Sequence, residues 1–308
     1  MIIAVFPGQG SQSPGFLKPW LELDGVAARL AEYSEAAGVD LVSAGTEWDA
    51  DAIRDTRVAQ PLIVAASLVS WSALTDGAGA RPGGVAGHSV GEIAALVAAG
   101  VLGDTDGMRI VGARGRAMAD AAARERTGMS AVVGGDQDAV VARLSALGLT
   151  PANYNGGGQI VAAGAHDALE ALSAEPPAGT RVVPLAVAGA FHTEYMRPAV
   201  DELRTATEGV TVSDPGVTLW TNRDGTAVAE GRRALELLVG QVASPVRWDL
   251  TMASFAEHGV TGIVELAPAG TLTGLAKRAL RGVPSVAVKT PDDLAAARDL
   301  LTSGGSPA

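Results

Sequence analysis

The 308-residue chain contains no cysteine, which removes disulfides, thiolate metal sites and cysteine nucleophiles from its chemistry. Aromatic residues are scarce at 4%, and with only 4 histidines each imidazole can be weighed separately. Positive charge is short as well. Lys and Arg number 23 against 34 Asp and Glu, 23 − 34 = −11, a balance that disfavours nucleic acid as the main partner. No uninterrupted apolar segment reaches the length of a membrane span, and the start at Met1–Pro7 lacks the basic region and length of a signal peptide. A cytoplasmic protein without nucleic acid or membrane partners is the expectation. What the chain does have is apolar bulk, 47% of its residues, enough for a large core in one domain or two.

The sharpest local pattern is Gly87-His88-Ser89-Val90-Gly91, preceded by the apolar pair Val85-Ala86 and followed by an Ala-rich helical stretch. Strand, tight turn and helix together make the setting of a nucleophile elbow. There a serine hydroxyl projects from the top of a sheet, and the helix start aims free N–H groups at whatever it attacks. Taken alone, the same five residues read more readily as a glycine-rich turn. Other segments have to decide.

Ile2–Phe6 is a continuous apolar run stopped by Pro7-Gly8, the pattern of a buried parallel strand. Its loop Gly8-Gln9-Gly10-Ser11-Gln12 falls at the strand end where open α/β sheets bind ligands. Helices are expected over 60–74, with Pro61 in the first turn, and over 104–126, with Asp104 or Thr105 as cap; 77–84 reads as a linker. The rhythm then changes: strand 129–134, helix 136–147, strands 150–155 and 159–163, helix 166–174, strand 181–187. That is the βαββαβ order of a ferredoxin-like unit. Residues 127–188 are therefore expected to be a subdomain inserted into an α/β core built from 1–126 and 189–308. In the second half of that core, Thr193 is expected to cap a helix to about 207. Strands over 217–221, 261–266 and 283–288 alternate with helices ending at His258 and spanning 271–280 and 292–301, before a frayed tail at 302–308.

Arg114 breaks the pattern of its helix. Arg109, Arg116, Asp120 and Arg124 form a solvated stripe, whereas Arg114 has Ile110, Val111, Ala117, Met118 and Ala121 at helical spacing. A guanidinium on that inward face needs an anion, either a structural Asp or Glu or a substrate carboxylate held bidentately. Ser89, for its part, needs a base. His258 ends a helix, His166 opens one at the surface, and His88 leaves the backbone in a different direction from its neighbour. His192 follows a strand and the small-residue turn Ala188-Gly189-Ala190, at a strand's C-terminal edge, and is the preferred base; a buried core histidine is the competing reading. No Asp or Glu stands alone at a strand end between Ser89 and His192, where a hydrolase acid belongs. A Ser–His dyad oriented by a neutral group is expected instead.

Several short motifs recur in order: Pro7-Gly8-Gln9-Gly10-Ser11-Gln12, Gly87-His88-Ser89-Val90-Gly91-Glu92, Arg114-Gly115, Asn153-x-Asn155, Phe191-His192, and Gln241 through Pro245. Together they resemble malonyl-CoA:acyl carrier protein transacylases and, more broadly, the acyltransferase domains of polyketide synthases, from Met1 to about Leu301. The resemblance implies an α/β-hydrolase-like core with a mostly parallel sheet and a ferredoxin-like insertion. It implies that Ser89 carries malonyl as an ester, that His192 is base and then acid, and that the Gln9 and Val90 N–H groups form an oxyanion hole. Arg114 would hold the malonyl carboxylate, with Phe191, Asn155 and Met118 in the substrate-binding set and Asn153 in support. A backbone carbonyl near Gln241 would orient His192. In related domains Ala-Phe-His, here 190–192, goes with malonyl rather than methylmalonyl, although Gly189 stands where that pattern often has His.

The partners so implied are malonyl-CoA and an acyl carrier protein, which brings its own phosphopantetheine; no cofactor or metal is implied. For an acidic carrier, Lys277, Arg278, Arg281, Arg116 and Lys289 are the candidate positive patch. The alternatives are a serine esterase or thioesterase passing the acyl group to water, a transferase for another extender such as methylmalonyl, and a carrier-docking subunit with a vestigial site.

Overall fold

Ile2–Phe6 forms β1 with every residue buried, as an unbroken apolar run requires of a strand covered on both faces. The computed structural model describes residues 1–79 and 81–303. β1 is followed by α1 (Val26–Ala37), α2 (Leu41–Thr46), α3 (Thr56–Thr75), β2 (Gly84–Gly87), α4 (Gly91–Ala98) and α5 (Asp104–Ala122). A middle stretch holds β3 (Thr127–Gly134), α6 (Gln137–Ala146), β4 (Thr150–Gly156), β5 (Gln159–Ala165), α7 (His166–Ala174) and β6 (Thr180–Pro184). The chain closes with α8 (Arg197–Ala206), β7 (Thr218–Leu219), α9 (Gly231–Gln241), α10 (Trp248–Glu257), β8 (Gly262–Glu265), α11 (Thr271–Ala279), β9 (Ser285–Ala287) and α12 (Leu294–Ser303).

The architecture is α/β. The main sheet runs β7-β2-β1-β8-β9 with every neighbouring pair parallel. A separate antiparallel sheet runs β4-β5-β3-β6. For a βαββαβ unit that order places the first strand between the third and the fourth, which is the ferredoxin-like arrangement expected from the sequence. The smaller sheet has an apolar cluster of its own, including Val132, Val140, Leu144, Ile160, Leu169 and Leu172. It is sewn to the core through Val246: Tyr154 N–H donates to the Val246 carbonyl and Val246 N–H to that of Ala152, each at 2.9 Å.

Parallel pairing puts all strand C-termini of the main sheet on one edge. Phe6 lies opposite Gly87, so the loops carrying Gln9 and Ser89 leave side by side. α3 is long and apolar enough by length and composition to cross a membrane, yet 78% of that window is buried inside the protein, where the helix packs on α4 and α5. Its polar interruptions are used internally. Ser67 Oγ donates to the Ala267 carbonyl at 2.8 Å, and Ser70 Oγ accepts the Ala267 N–H at 3.0 Å.

Several boundaries differ from expectation for local reasons. The Asp55 carboxylate caps α3 through the Arg57 N–H, so the helix starts at Thr56 and Pro61 lies inside it, not in its first turn. Neither Asp104 nor Thr105 caps α5. Gly103 stands at the cap, and Asp104 accepts the Tyr33 hydroxyl at 2.5 Å. The helix stops at Ala122, short of Arg126, because the chain must turn into β3 at Thr127. Thr193 caps only a 3-10 turn, Glu194–Met196, which leads into α8. The strand expected over 217–221 shrinks to Thr218–Leu219, since Trp220 pairs antiparallel with Ala227 across the Arg223-Asp224-Gly225 turn. Thr302 and Ser303 belong to α12 and not to a tail; the rest of that tail, and Ala80 of the 77–84 linker, lie outside the described residues.

Candidate active site

Ser89 stands between β2 and α4 with a left-handed φ of 52°, a conformation that L residues rarely adopt. The flanking glycines serve close approach. A Cβ on Gly87 would lie 2.0 Å from the Gly91 carbonyl carbon, and one on Gly91 would lie 2.2 Å from the Phe6 oxygen. The tight turn is therefore stored in Ser89 itself while the glycines let helix and strand touch. Asn222, fully buried after β7, clamps the turn from below. Its Oδ1 accepts the Ser89 N–H at 2.7 Å and its Nδ2 donates to the Gly87 carbonyl at 2.6 Å.

His192 meets Ser89 across this turn, with Nε2 at 2.7 Å from the hydroxyl oxygen. Its Nδ1 lies 2.9 Å from the Gln241 carbonyl oxygen. A carbonyl only accepts, so Nδ1 carries the proton and Nε2 is left to accept from Ser89. Burial, and next the positive charge of Arg114, push the imidazole down to about 3, keeping it neutral.

Arg114 is 1% exposed, and no carboxylate bonds it among the described residues. Nη1 donates to Gln60 Oε1 at 2.6 Å and Nη2 to Gln241 Oε1 at 2.8 Å, both neutral oxygens. Nη2 also lies 3.4 Å from Ser89 Oγ, and Nε finds no acceptor. Of the two readings open at the sequence level, the direct structural ion pair is absent among the described residues. The nearest anion in the network is Glu92 in the first turn of α4, which accepts from Gln241 Nε2 and, at 3.1 Å, from the Asn222 N–H. Burial raises Glu92 to about 7 and lowers Arg114 to about 10, each opposed by the charge of the other.

A cleft of about 290 Å³ opens between the parallel-sheet edge and the smaller sheet. Gln9, Ser89, Phe191 and His192 line it from the core, Asn153 and Asn155 from β4, and Leu272 and Leu275 from α11. Among the described residues the N–H groups of Gln9 and Val90 have no acceptor. Asn155 meets His88 rather than Ser89: its Oδ1 is 2.9 Å from His88 Nε2, and its Nδ2 donates to Gln159. Met118 stands behind the site, with its sulfur 3.4 Å from Gln60 Nε2. His258 bonds Ser254 within α10 and its cap, and His166 is exposed. Of the cationic patch, Arg278 lies against Gly157 in the β4–β5 turn, whereas Arg116 donates to the Ala37 carbonyl at the end of α1. No group of three or more metal-ligating side chains occurs among the described residues.

Residues 3–294 match the family model of the acyl transferase domain. The chain belongs to this acyl transferase family. The malonyl CoA-acyl carrier protein transacylase of Mycobacterium tuberculosis (strain ATCC 25618 / H37Rv) is 52% identical over 296 residues, covering 96% of this chain and 98% of the relative. The protein of the same name from Escherichia coli (strain K12) is 34% identical over 304 residues, covering 96% and 98%. The crystal structure of MCAT from Mycobacterium tuberculosis superposes with a TM-score of 0.91 at 51% identity, covering 96% and 98%. A malonyl-transacylase in complex with its type II PKS acyl-carrier protein superposes at 0.90 with 31% identity, covering 97% and 99%. The family resemblance carried by the short motifs is borne out.

Three residues of this acyl transferase site escape sequence reasoning. Glu92 sits in a helix turn where exposed acids are common, and its 2% exposure follows only from the packing of α4. Asn222 follows a two-residue strand and comes beside Ser89 only through sheet pairing. Gln60 is an interior position of an apolar helix; a polar residue on that buried face was the available signal.

Proposed function

We propose that the protein transfers malonyl from malonyl-CoA to the phosphopantetheine thiol of an acyl carrier protein through a malonyl ester on Ser89. The observation that carries this reading is the 2.7 Å contact between Ser89 Oγ and His192 Nε2, with a guanidinium that no carboxylate bonds directly, among the described residues, 3.4 Å from the same oxygen. Ser89 Oγ adds to the thioester carbonyl while His192 Nε2 takes its proton. The C–S bond breaks, and the proton passes to the CoA sulfur. The carrier thiol then adds to the ester carbonyl and gives its proton to His192, which returns it to Ser89 Oγ as the C–O bond breaks.

Each neighbour has a part in this reading. The Gln241 carbonyl holds His192 in the productive tautomer, and the free N–H groups of Gln9 and Val90 stabilise the oxyanion. Arg114 holds the malonyl carboxylate with charge-assisted hydrogen bonds. Phe191 crowds an α-methyl and favours malonyl over methylmalonyl. Asn155 and Asn153 shape the cleft, Asn155 by steadying His88, and Met118 supports the Arg114 shelf from behind. The exchange is redox-neutral and uses groups this chain already holds, so we take it to need no cofactor. We further propose a cytoplasmic setting, where a CoA thioester is met. We treat 127–188 as a subdomain inserted between 1–126 and 189–308, a division supported by its own sheet and apolar cluster.

Intact-mass measurement with malonyl-CoA tests the reading. One malonyl group should appear on Ser89 and move to added holo carrier protein. Rapid malonate release with no carrier-bound product would instead identify a thioesterase.

A further inference from the structure

Gln241 touches both halves of the site with different atoms. Its backbone oxygen holds His192, while its side-chain amide lies between Arg114 and Glu92. The orientation of that amide is dictated by its surroundings. Nε2 faces the Glu92 carboxylate, the Ser89 carbonyl at 3.1 Å and Asn222 Oδ1 at 3.2 Å, all acceptors, so Oε1 must face the guanidinium. An ionisable carboxyl group thus sits one amide away from the guanidinium, both nearly inaccessible to water.

We propose that Glu92 is a positioning residue acting on Arg114 through the Gln241 side chain, setting how strongly the guanidinium holds a substrate carboxylate. This rests on the malonyl-transfer reading. A carboxylate bonded directly to Arg114 would occupy the donors the substrate needs. Without any counter-charge, the buried guanidinium would bind the substrate anion more tightly. The interposed amide gives the intermediate case: the charge is offset across a low-dielectric site, but no carboxylate takes the Nη2 donor that faces Ser89. Arg114 from α5 is the charged group whose field acts on Glu92, with neutral His192 beyond Gln241 and Arg223 on the far side of a small cavity that Glu92 also lines; the contacts from Asn222, Thr221 and Gln241 are neutral.

The test moves the charge. Glu92→Gln removes it, and Glu92→Gln with Gln241→Glu shifts it by one residue into direct contact with Arg114. For the wild type and both variants, kcat/KM is measured for malonyl-CoA and acetyl-CoA with a holo carrier protein as acceptor, at about pH 8 so that Glu92 is ionised; thermal unfolding checks the fold. The malonyl-to-acetyl ratio cancels any change common to Ser89 and His192. Glu92→Gln should raise that ratio about threefold or more, and the double variant should lower it about tenfold or more. A purely structural Glu92 would move both substrates together. An unchanged or lowered ratio in Glu92→Gln, or the wild-type ratio in a folded double variant, overturns the proposal. If the double variant does not fold, Glu92→Gln decides alone. Wild-type protein that never takes malonyl onto Ser89 refutes the functional reading instead.

Discussion

Ser89 and His192 are the two non-glycine residues with positive φ among the described residues, at 52° and 62°, and their side chains meet at 2.7 Å across 103 positions of sequence. Strained backbone is therefore concentrated on the two residues whose side chains must converge. A left-handed turn swings Ser89 off the end of β2, and another in the loop after β6 turns His192 into the same cleft, where the surrounding packing holds both.

That strain has a measurable cost. Ser89→Gly is expected to be more stable than Ser89→Ala by about 1 kcal/mol, because glycine accepts positive φ and alanine does not. Both should be inactive. Chemical denaturation of the two variants checks this, and equal stabilities would mean that the turn at Ser89 is not strained.

Replacing Arg114 by Ala should lower kcat/KM for malonyl-CoA by roughly a hundredfold or more, the loss of two hydrogen bonds to a charged group at ~1.5–3 kcal/mol each. Acetyl transfer should rise relative to malonyl transfer, since no carboxylate is then required. An acyl-CoA panel read by intact mass gives the answer directly. A malonyl preference that survives the substitution removes Arg114 from substrate recognition.

Asn222→Ala breaks two buried hydrogen bonds to the elbow backbone and leaves the Ser89 N–H and the Gly87 carbonyl unpaired. The expected loss is about 2–5 kcal/mol of stability, together with slower acylation of Ser89 as the turn loosens. Urea titration alongside burst-phase acylation would show it. Wild-type acylation in a destabilised variant would confine Asn222 to the fold.

Two groups set the pH behaviour. His192 lies at about 3, well below its ordinary 6.5, so it remains a neutral base as pH falls through 6 and is lost only near its own value. Glu92 lies at about 7, and a malonyl carboxylate held by Arg114 would raise it further, so malonyl binding should take up a proton and strengthen as pH falls from about 8 to 6. The profile of kcat/KM for malonyl-CoA should therefore rise severalfold toward pH 6, flatten in Glu92→Gln, and show no acid limb near 6.5. Stability follows the same residue. Between its ordinary 4.5 and about 7 the folded state binds the extra proton, so stability declines as pH rises through that window, and Glu92→Gln should remove this part of the decline.

Much of the architecture was legible because it is local. The apolar run of β1, the rhythm change after Thr127 and the inward register of Arg114 are all properties of a few neighbouring residues, and each appears in the structure close to where the pattern places it. α1 and α9 left no comparable mark, and α2, although capped by Asp40, is only six residues long. α1 begins and ends on left-handed glycines with no side-chain cap at its start, and α9 likewise has no side-chain cap, so the usual start signals are missing.

By itself, then, the sequence determined the α/β class, the βαββαβ stretch with its own sheet, the serine of the strand–turn–helix and the buried arginine, since these depend on periodicity and short motifs. Tertiary structure alone decided what surrounds them. Sheet register set Asn222 under Ser89, and the end of α9 brought both ends of Gln241 to the site, its carbonyl to His192 and its amide to Arg114. The packing of α4 buried Glu92 behind that amide. Charge compensation in a low-dielectric site depends on distances between residues far apart in the chain, and no local pattern records those distances.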